Sequence, residues 1–269
     1  MTRDRRCYPD IIVIRNKANL GPAKSRNQGI NSGRAEFIVT LDNDALLSKG
    51  WLAEMVQLMD SDNAVGQAVG KILFANEPEK NAAAGGSMLF RGKGYDIGLG
   101  EESDSLQYSR SRRVLYACSA SMIIRRDVLE KIGGFYEEYY HGYEDTDLSL
   151  RVNIAGYKVV YQPSSISYHG LSATVNQVIN NKYATYLWMR NRLLIILRNY
   201  PMPLLLKSLS LNIRFNIGHC LNCPGDLSSL IKSFLSVIAK TLNIFSARKK
   251  NKRLRSISND QLEELFNLK

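Results

Sequence analysis

The chain has 269 residues, 45% of them hydrophobic and 23% charged, which allows a large core in one domain plus an appendage. The formal net charge of +11 is uneven: residues 1–181 hold 21 Lys/Arg against 21 Asp/Glu and residues 182–269 hold 15 against 4, so the excess sits in the last third and points to an anionic partner there. Four scattered Cys exclude a disulfide scaffold and fit a reducing cytoplasm, and neither a signal peptide nor a membrane-spanning run of ~18 apolar residues is expected.

In chain order, Asp10–Arg15 predicts a strand, 16–22 an Asn- and Gly-rich loop, and Ala23–Ser32 a short helix that Gly33 stops. Ala35–Leu41 predicts a second strand, apolar and β-branched as in a strand covered on both faces. Strand, helix, strand is the pattern of a parallel α/β unit. Asp42 and Asp44 follow at once, one residue apart, so in an extended chain both carboxylates point the same way. Ligands of open α/β sheets sit beyond the carboxyl ends of strands, where two hard oxygens suit Mg²⁺ or Mn²⁺ carrying a phosphate. Asp-Asn-Asp is also ordinary turn composition, and that alternative stays open.

Trp51–Met59 predicts an amphipathic helix with Trp51, Met55, Val56 and Leu58 or Met59 inward, and Val65–Phe74 a strand. Residues 76–113 read as a long loop, of a length that is usually functional or disordered. Val114–Arg125 predicts a strand, Asp127–Ile132 a helix closed by Gly133-Gly134, Glu144–Ala155 a helix stopped by Gly156, and Tyr157–Tyr161 a strand, with Pro163–His169 leading out of the core. Val175–Asn199, Leu204–Ile217 and Leu227–Phe245 read as helices, with Pro201 and Pro203 as an interruption. Arg248–Arg255 is a basic cluster, and Asn259–Leu268 a terminal helix capped by Ser258 or Asn259. Cys220-Leu221-Asn222-Cys223 with His219 invites a zinc reading, which is rejected because no second Cys or His cluster supplies the remaining ligands.

Several blocks, in order over roughly 150 residues, make the chain resemble the family 2 glycosyltransferases of the GT-A fold, in particular their rhamnosyltransferase-like branch. They are Asn19-Leu20-Gly21-Pro22-Ala23 with Arg26-Asn27-Gln28-Gly29-Ile30; Leu41-Asp42-Asn43-Asp44, similar to the DXD motif; Tyr95-Asp96-Ile97-Gly98 with Ala117-Cys118-Ser119-Ala120-Ser121-Met122; Gly133-Gly134-Phe135; Tyr143-Glu144-Asp145-Thr146-Asp147-Leu148; and Gly156-Tyr157 with His169. Two departures stand out. Family members begin with two strand-helix units that help hold the nucleotide base, and this chain starts after them. The chain is therefore expected to be N-terminally truncated, with a late start site, a degraded gene or a partner that completes the sheet as explanations. Tyr136 stands where Asp usually follows Gly-Gly-Phe, which is expected to alter a turn rather than the chemistry.

The resemblance implies a mixed α/β sheet flanked by helices over residues 1–170, followed by a helical, basic region over 171–269. It implies an inverting, metal-dependent transferase that moves a hexosyl group from a nucleotide-diphosphate sugar to a glycan or lipid-linked glycan in surface polysaccharide synthesis. Asp42, Asp44 and His169 would hold Mg²⁺ or Mn²⁺, although a lone loop His needs no such role. Asn19, Gly21, Arg26, Asn27, Asp42, Asn43 and Ser119 would line the donor. Asp145 would be the general base with Glu144 beside it, since adjacent carboxylates at a helix start repel and raise a pKa; a helix N-terminus favours acids on its own account. Asp147 and Arg151 read as a structural pair, Cys118 as a small buried hydrophobe, and the 76–113 loop as an acceptor-side lid. The apolar Leu227–Phe245 helix and the basic cluster after it suit an anionic leaflet at the inner face of the cell membrane; packing on the catalytic domain is the alternative. Nucleic acid is not an expected partner, because the cluster has no interleaved aromatics for base stacking. The competing function is a silent homologue that binds glycan or membrane without turnover.

Overall fold

The computed structural model describes residues 10–170 and 182–268. In chain order the strands are β1 (Phe37–Leu41), β2 (Ala45–Leu47), β3 (Val65–Phe74), β4 (Asn81–Ala83), β5 (Gly86–Met88), β6 (Gly94–Asp96), β7 (Arg112–Arg113), β8 (Ser121–Arg125) and β9 (Lys158–His169). Seven form one mixed sheet in the order β1-β8-β3-β9-β2, with β4 on β3 and β7 on β9, while β5 and β6 make a separate hairpin. Among the described residues only β3 and β9 run parallel.

The opening differs from a parallel unit. Residues 10–15 are not a strand, and Ile11, Ile12, Val13 and Ile14 are exposed. A strand needs a ladder partner for its backbone groups, and among the described residues nothing pairs with this segment. β1 pairs only with β8, antiparallel, and is half-exposed rather than covered on both faces. The helix that follows the first segment does form, as α1 (Gly21–Asn31), with Pro22 in its first turn.

α2 (Trp51–Ser61) buries Trp51, Met55 and Met59, spaced for one helical face, against Ala68, Ile123 and Val160 of the sheet. α3 (Arg126–Ile132) ends on Gly133 at φ 89°, the left-handed cap expected. α4 (Glu144–Ile154) is buried along almost its whole length.

Two corrections concern strand limits. β9 does not stop at Tyr161 but continues through Pro163 to His169. The register slips between Gly70, opposite Gln162, and Lys71, opposite Ile166. Pro163, which cannot donate to a ladder, falls in that bulge. A Cβ on Gly70 would lie 2.0 Å from the Ser165 carbonyl oxygen, so the bulge needs glycine opposite it. The continuation carries His169 to a position opposite Ala45, beside Asp44. The expected strand over 114–125 is confined to β8; the stretch before it is buried but held by single contacts, such as the Ala117 N–H donating to Ser149 Oγ at 3.1 Å.

Residues 76–113 are not one long loop either. They carry β4 to β7, and residues 81–88 are all buried. The run Asn81-Ala82-Ala83-Ala84-Gly85-Gly86-Ser87 is small enough for backbones to pack closely, which composition alone made look like a loop.

The rest is helical: α5 (Lys182–Asn199), α6 (Met202–Asn222), α7 (Leu227–Ala239), α8 (Thr241–Leu254) and α9 (Asn259–Leu265). Of the expected Val175–Asn199 helix, residues 175–181 lie outside the described residues. Pro201 separates α5 from α6 as expected, but Pro203 sits in the first turn of α6 rather than interrupting it. The Leu227–Phe245 stretch is two helices, α7 and α8, divided at Lys240 and bent by 67°. Most of the basic cluster is the end of α8. Ser258 caps α9 in a reciprocal capping box with Gln261. Among the described residues no single helix is long and apolar enough to cross a membrane.

α5 is fastened to α4 through Asp147, which is fully buried. Its carboxylate accepts from Arg151 Nε (2.8 Å), Arg198 Nη1 (2.9 Å), Asn199 Nδ2 (2.8 Å) and Tyr139 OH (3.1 Å). The Asp147–Arg151 pair thus exists as expected, with a second arginine added from α5. Tyr136 places its ring under that second arginine, 3.2 Å from Arg198 Cζ to the ring centroid.

Candidate active site

The carboxyl end of β1 and the far end of β9 meet at one edge of the sheet. Asp42 leaves β1 with its N–H donated to the Ala120 carbonyl at 2.9 Å. The Asp44 carbonyl accepts from the Gly170 N–H at 2.9 Å. His169 Nε2 then lies 3.2 Å from Asp44 Oδ1 and 3.9 Å from Asp42 Oδ2. One ligand atom from each of the three residues lies within 4.8 Å of the others. Asn43, between the two aspartates, is exposed.

Arg26, on α1, spans this group and the start of α4. Its Nη2 donates to Asp42 Oδ1 at 2.7 Å and its Nη1 to Glu144 Oε1 at 3.0 Å. Burial works against the guanidinium charge, but Glu144 and Asp42 beside it more than offset this and raise its pKa. Burial pushes the Glu144 carboxyl up to about 7, helped by Asp145 and opposed by Arg26. Its second oxygen has no hydrogen-bond partner among the described residues.

Asp145 follows Glu144 on the first turn of α4. Its Oδ1 accepts from the Thr146 N–H at 2.7 Å, and its Oδ2 from the Ser119 N–H at 3.3 Å. Ser119 is buried, and its carbonyl accepts from Thr40 Oγ1 at 2.8 Å, which ties the base of β1 to the Asp145 side. The turn into α4 is held by Tyr140 and Tyr143, both at positive φ (61° and 74°), a conformation unusual for a bulky residue. Gly21 is required against it: its φ is +77°, and a Cβ there would lie 2.5 Å from the Tyr140 carbonyl oxygen.

Asp145 also lines a cavity of about 430 Å³ with Asp96, Tyr116, Trp188, Lys93 and Arg192. Asp96 enters the sequence comparison only as part of a motif. In the fold β6 brings it to Tyr116, whose hydroxyl donates to Asp96 Oδ1 at 2.8 Å. Burial raises the Asp96 carboxyl to about 6; the Tyr116 hydrogen bond opposes the rise and Asp145 adds to it. Nothing local in the sequence marks Asp96 as a site residue, because the hairpin that positions it lies inside the stretch that reads as a loop.

The structure therefore gathers Asp42, Asp44, His169, Arg26, Glu144, Asp145 and Ser119 around the β1 end. Asn19 and Asn27 use their side chains differently. Asn19 Oδ1 accepts from the Gly21 N–H at 2.9 Å, a local turn bond. Asn27 donates to the Phe135 carbonyl and accepts from its N–H, both at 2.9 Å, which joins α1 to the turn after α3. Cys118 is half-buried and burial drives its thiol pKa well up, so it is an unreactive wall. At the α6–α7 junction His219, Cys223 and Asp226 form a second three-ligand group, Asp226 being a member the CxxC reading did not include. Three donors still fall short of a closed structural zinc site, and His219 Nε2 is 2.9 Å from Asp226 Oδ2.

The fold is that of the GT-A transferases, a mixed sheet flanked by helices with acidic residues at a strand end. The family model "Glycosyl transferase family 2" matches residues 4–133, so that region is similar to family 2 glycosyltransferases. Among relatives, the "Pre-mycofactocin glycosyltransferase" of Mycobacterium tuberculosis is 29% identical over 161 residues, covering 60% of this chain and 32% of the relative. The "O-antigen biosynthesis protein RfbC" of Myxococcus xanthus is 29% identical over 152 residues, covering 55% of this chain and 12% of the relative. The chain thus spans about a third or less of the length of these relatives. A crystal structure of GalNAc-T7 with UDP, GalNAc and Mn2+ superposes with a TM-score of 0.54 at 16% identity, over 71% of this chain and 37% of that one.

The burial of Glu144 gives a pH signature. Its folded pKa lies above its unfolded value, so the folded state holds an extra proton between them. Stability from this group is present below the ordinary carboxylate range and lost as pH rises toward about 7. Asp96 contributes in the same direction. Glu144→Gln should flatten that part of the curve. The difference between the wild-type and variant unfolding free energies should change by on the order of 3 kcal/mol between pH 4 and pH 8. Urea denaturation across that range measures it, and parallel curves would place the Glu144 carboxyl in its ordinary range.

Proposed function

We propose that this protein is a metal-dependent, inverting glycosyltransferase that moves a hexosyl group from a nucleotide-diphosphate sugar to a glycan or lipid-linked glycan hydroxyl. The single observation that carries the reading is the convergence of Asp42, Asp44 and His169 within 4.8 Å, linked through Arg26 and Glu144 to Asp145.

The donor set fits a divalent cation. Two carboxylates and one imidazole converge from β1, the turn into β2 and the end of β9, and they suit Mn²⁺ or Mg²⁺ with positions left for phosphate oxygens. When bound, such an ion supplies Lewis-acid stabilisation of a departing diphosphate. Arg26 holds Asp42 in its ligating direction and adds positive charge on the diphosphate side. Ser119, with Ala120, leaves room for the sugar. Asn43, Gly21 and the turn that Asn19 and Asn27 secure form the donor side. Asp145 takes the proton of the acceptor hydroxyl, and with one carboxylate activating one nucleophile the anomeric centre inverts. The acceptor enters the cavity that Asp96, Tyr116 and Trp188 share with Asp145. The matched family region and the printed ligands of the GalNAc-T7 structure, UDP and Mn2+, support the donor and metal assignment.

The rhamnosyltransferase-like motifs and the basic last third favour surface polysaccharide synthesis, with residues 171–269 peripheral on the inner face of the cell membrane and residues 1–170 as the transferase domain. Calorimetric titration tests the core of the reading. UDP, GDP and dTDP are titrated with and without Mn²⁺. One nucleotide should bind with Mn²⁺ present, and Asp44→Asn or His169→Ala should weaken metal-dependent binding by at least about tenfold. Binding that ignores both Mn²⁺ and these substitutions would reject the metal site.

A further inference from the structure

Among the described residues, the C-terminal helices leave one face without a partner. On α7, Leu227, Ile231, Leu235 and Ile238 recur at helical spacing, and Leu242 and Phe245 carry the spacing onto α8. All six are exposed, Ile238 at 67%, Leu242 at 84% and Phe245 at 65%. The opposite side of the same helices is already used, since Leu230, Val237 and Ile244 are buried. Core packing therefore does not explain these exposed residues on either side of the bend at Lys240, and a concentration of exposed large apolar side chains marks a contact surface.

The row ends at a basic cavity. Phe245 lines a hollow of about 500 Å³ together with Met202, Arg248, Lys249, Lys252 and Arg255, and no carboxylate among the described residues lines it. Arg248 donates to the Leu197 carbonyl and, at 3.6 Å, to Met202 Sδ. Arg255 donates to Asn259 Oδ1 at 2.9 Å and to the Asn199 carbonyl at 3.4 Å. Both guanidinium groups are half-buried and held only by neutral acceptors among the described residues. Burial lowers the pKa of each, and Arg248 lowers that of Arg255 further. Two partly desolvated cations side by side, with two exposed lysines at the rim, call for an anion.

We infer that this face docks on an anionic phospholipid surface, with the Leu227-to-Phe245 row in the headgroup–acyl boundary and the Arg248–Arg255 cavity around a lipid phosphate. The inference deepens the membrane reading above by naming the docking site, and it rests on that reading. Phe245 belongs to both the row and the cavity, so the apolar and basic parts meet, as an amphipathic interfacial helix requires. A second copy of the chain would bring one basic cavity against another or leave both empty. Single-stranded nucleic acid could use the cations and Phe245 but would leave the rest of the apolar row, Leu227 to Leu242, uncovered.

Co-sedimentation of the full chain with vesicles, without any sugar donor, tests this. Binding is expected to vesicles of phosphatidylcholine with phosphatidylglycerol, to be much weaker to phosphatidylcholine alone, and to fall as salt rises. Arg248→Gln with Arg255→Gln, and separately Leu242→Ser with Phe245→Ser, should each lower binding by at least about tenfold. Lys249→Ala with Lys252→Ala alters only exposed side chains and should weaken binding in a folded protein, as checked by circular dichroism. Equal binding to both vesicle types, or binding unchanged in all three double variants, overturns the proposal. So does retention on an oligonucleotide that anionic vesicles fail to displace. A dimer in sedimentation velocity that Leu242→Ser disperses would assign the face to a second copy instead. Nucleotide titration of the same variants is unaffected either way, so this inference and the transferase reading fail separately.

Discussion

Replacing Asp145 by Asn is expected to reduce sugar transfer by about 10²–10⁴-fold while nucleotide and metal binding stay as in the wild type. The amide keeps the size of the side chain and can still accept the Thr146 N–H now made at 2.7 Å. What it loses is basicity toward an acceptor hydroxyl. Two neighbours compete for the same role and serve as controls. Glu144 is turned toward Arg26, and its raised pKa leaves it largely protonated below about 7, so Glu144→Gln should act through the position of Arg26 and show as weaker donor binding. Asp96 shares the cavity of Asp145 with a carboxyl raised to about 6. If Asp96 were the base, Asp96→Asn would abolish transfer and Asp145→Asn would not. Single-turnover rates of the three variants at saturating donor separate these cases. Retained turnover in Asp145→Asn removes it from the base role.

Much of the site was legible because its residues flank elements with strong local signals. Asp42 and Asp44 follow an apolar β-branched run, Glu144 and Asp145 open a helix, and a Gly closes the helix before them. Short-range physics sets each of these, and the structure brings them together. The limits lay where long-range contacts decide. Asp10–Arg15 has the composition of a strand and no ladder partner among the described residues. Pro163 reads as an exit, yet a bulge opposite Gly70 absorbs it and lets β9 deliver His169 to Asp44. The small-residue run at 81–87 reads as a loop because it lacks large apolar side chains, although close backbone packing is what it provides. Asp96 was missed as a site residue for that reason. Asn27 has the look of a ligand-binding residue in sequence, and only the coordinates show both ends of its amide bonded to Phe135.

The other large effect belongs to Asp147, where the expected loss is in stability rather than chemistry. Asp147→Asn removes the one negative charge between Arg151 and Arg198, both of which are buried. Breaking a buried ion pair by taking out one partner costs about 3–5 kcal/mol, because the remaining charge stays desolvated and unpaired. Burial alone would raise the Asp147 carboxyl, but Arg198 and Arg151 hold it below its ordinary value. Its contribution is therefore complete above the unfolded carboxylate pKa and is lost as pH falls through the lower folded one. The gap between wild type and variant should be full at neutral pH and close only in strong acid. The damage should also reach the site. Arg151 donates to the Ile132 and Gly134 carbonyls at 3.0 and 2.7 Å, next to the Phe135 backbone that Asn27 grips, and Asn27 neighbours Arg26 on α1. Chemical denaturation at several pH values reads the first effect. Combining Asp147→Leu with Arg198→Met tests its cause, since Asp147→Leu alone strands two buried arginines and the double variant strands only Arg151, so the double variant should lose less than the sum of the two single losses. Losses that simply add would mean that packing, not the stranded charge, holds α4 to α5.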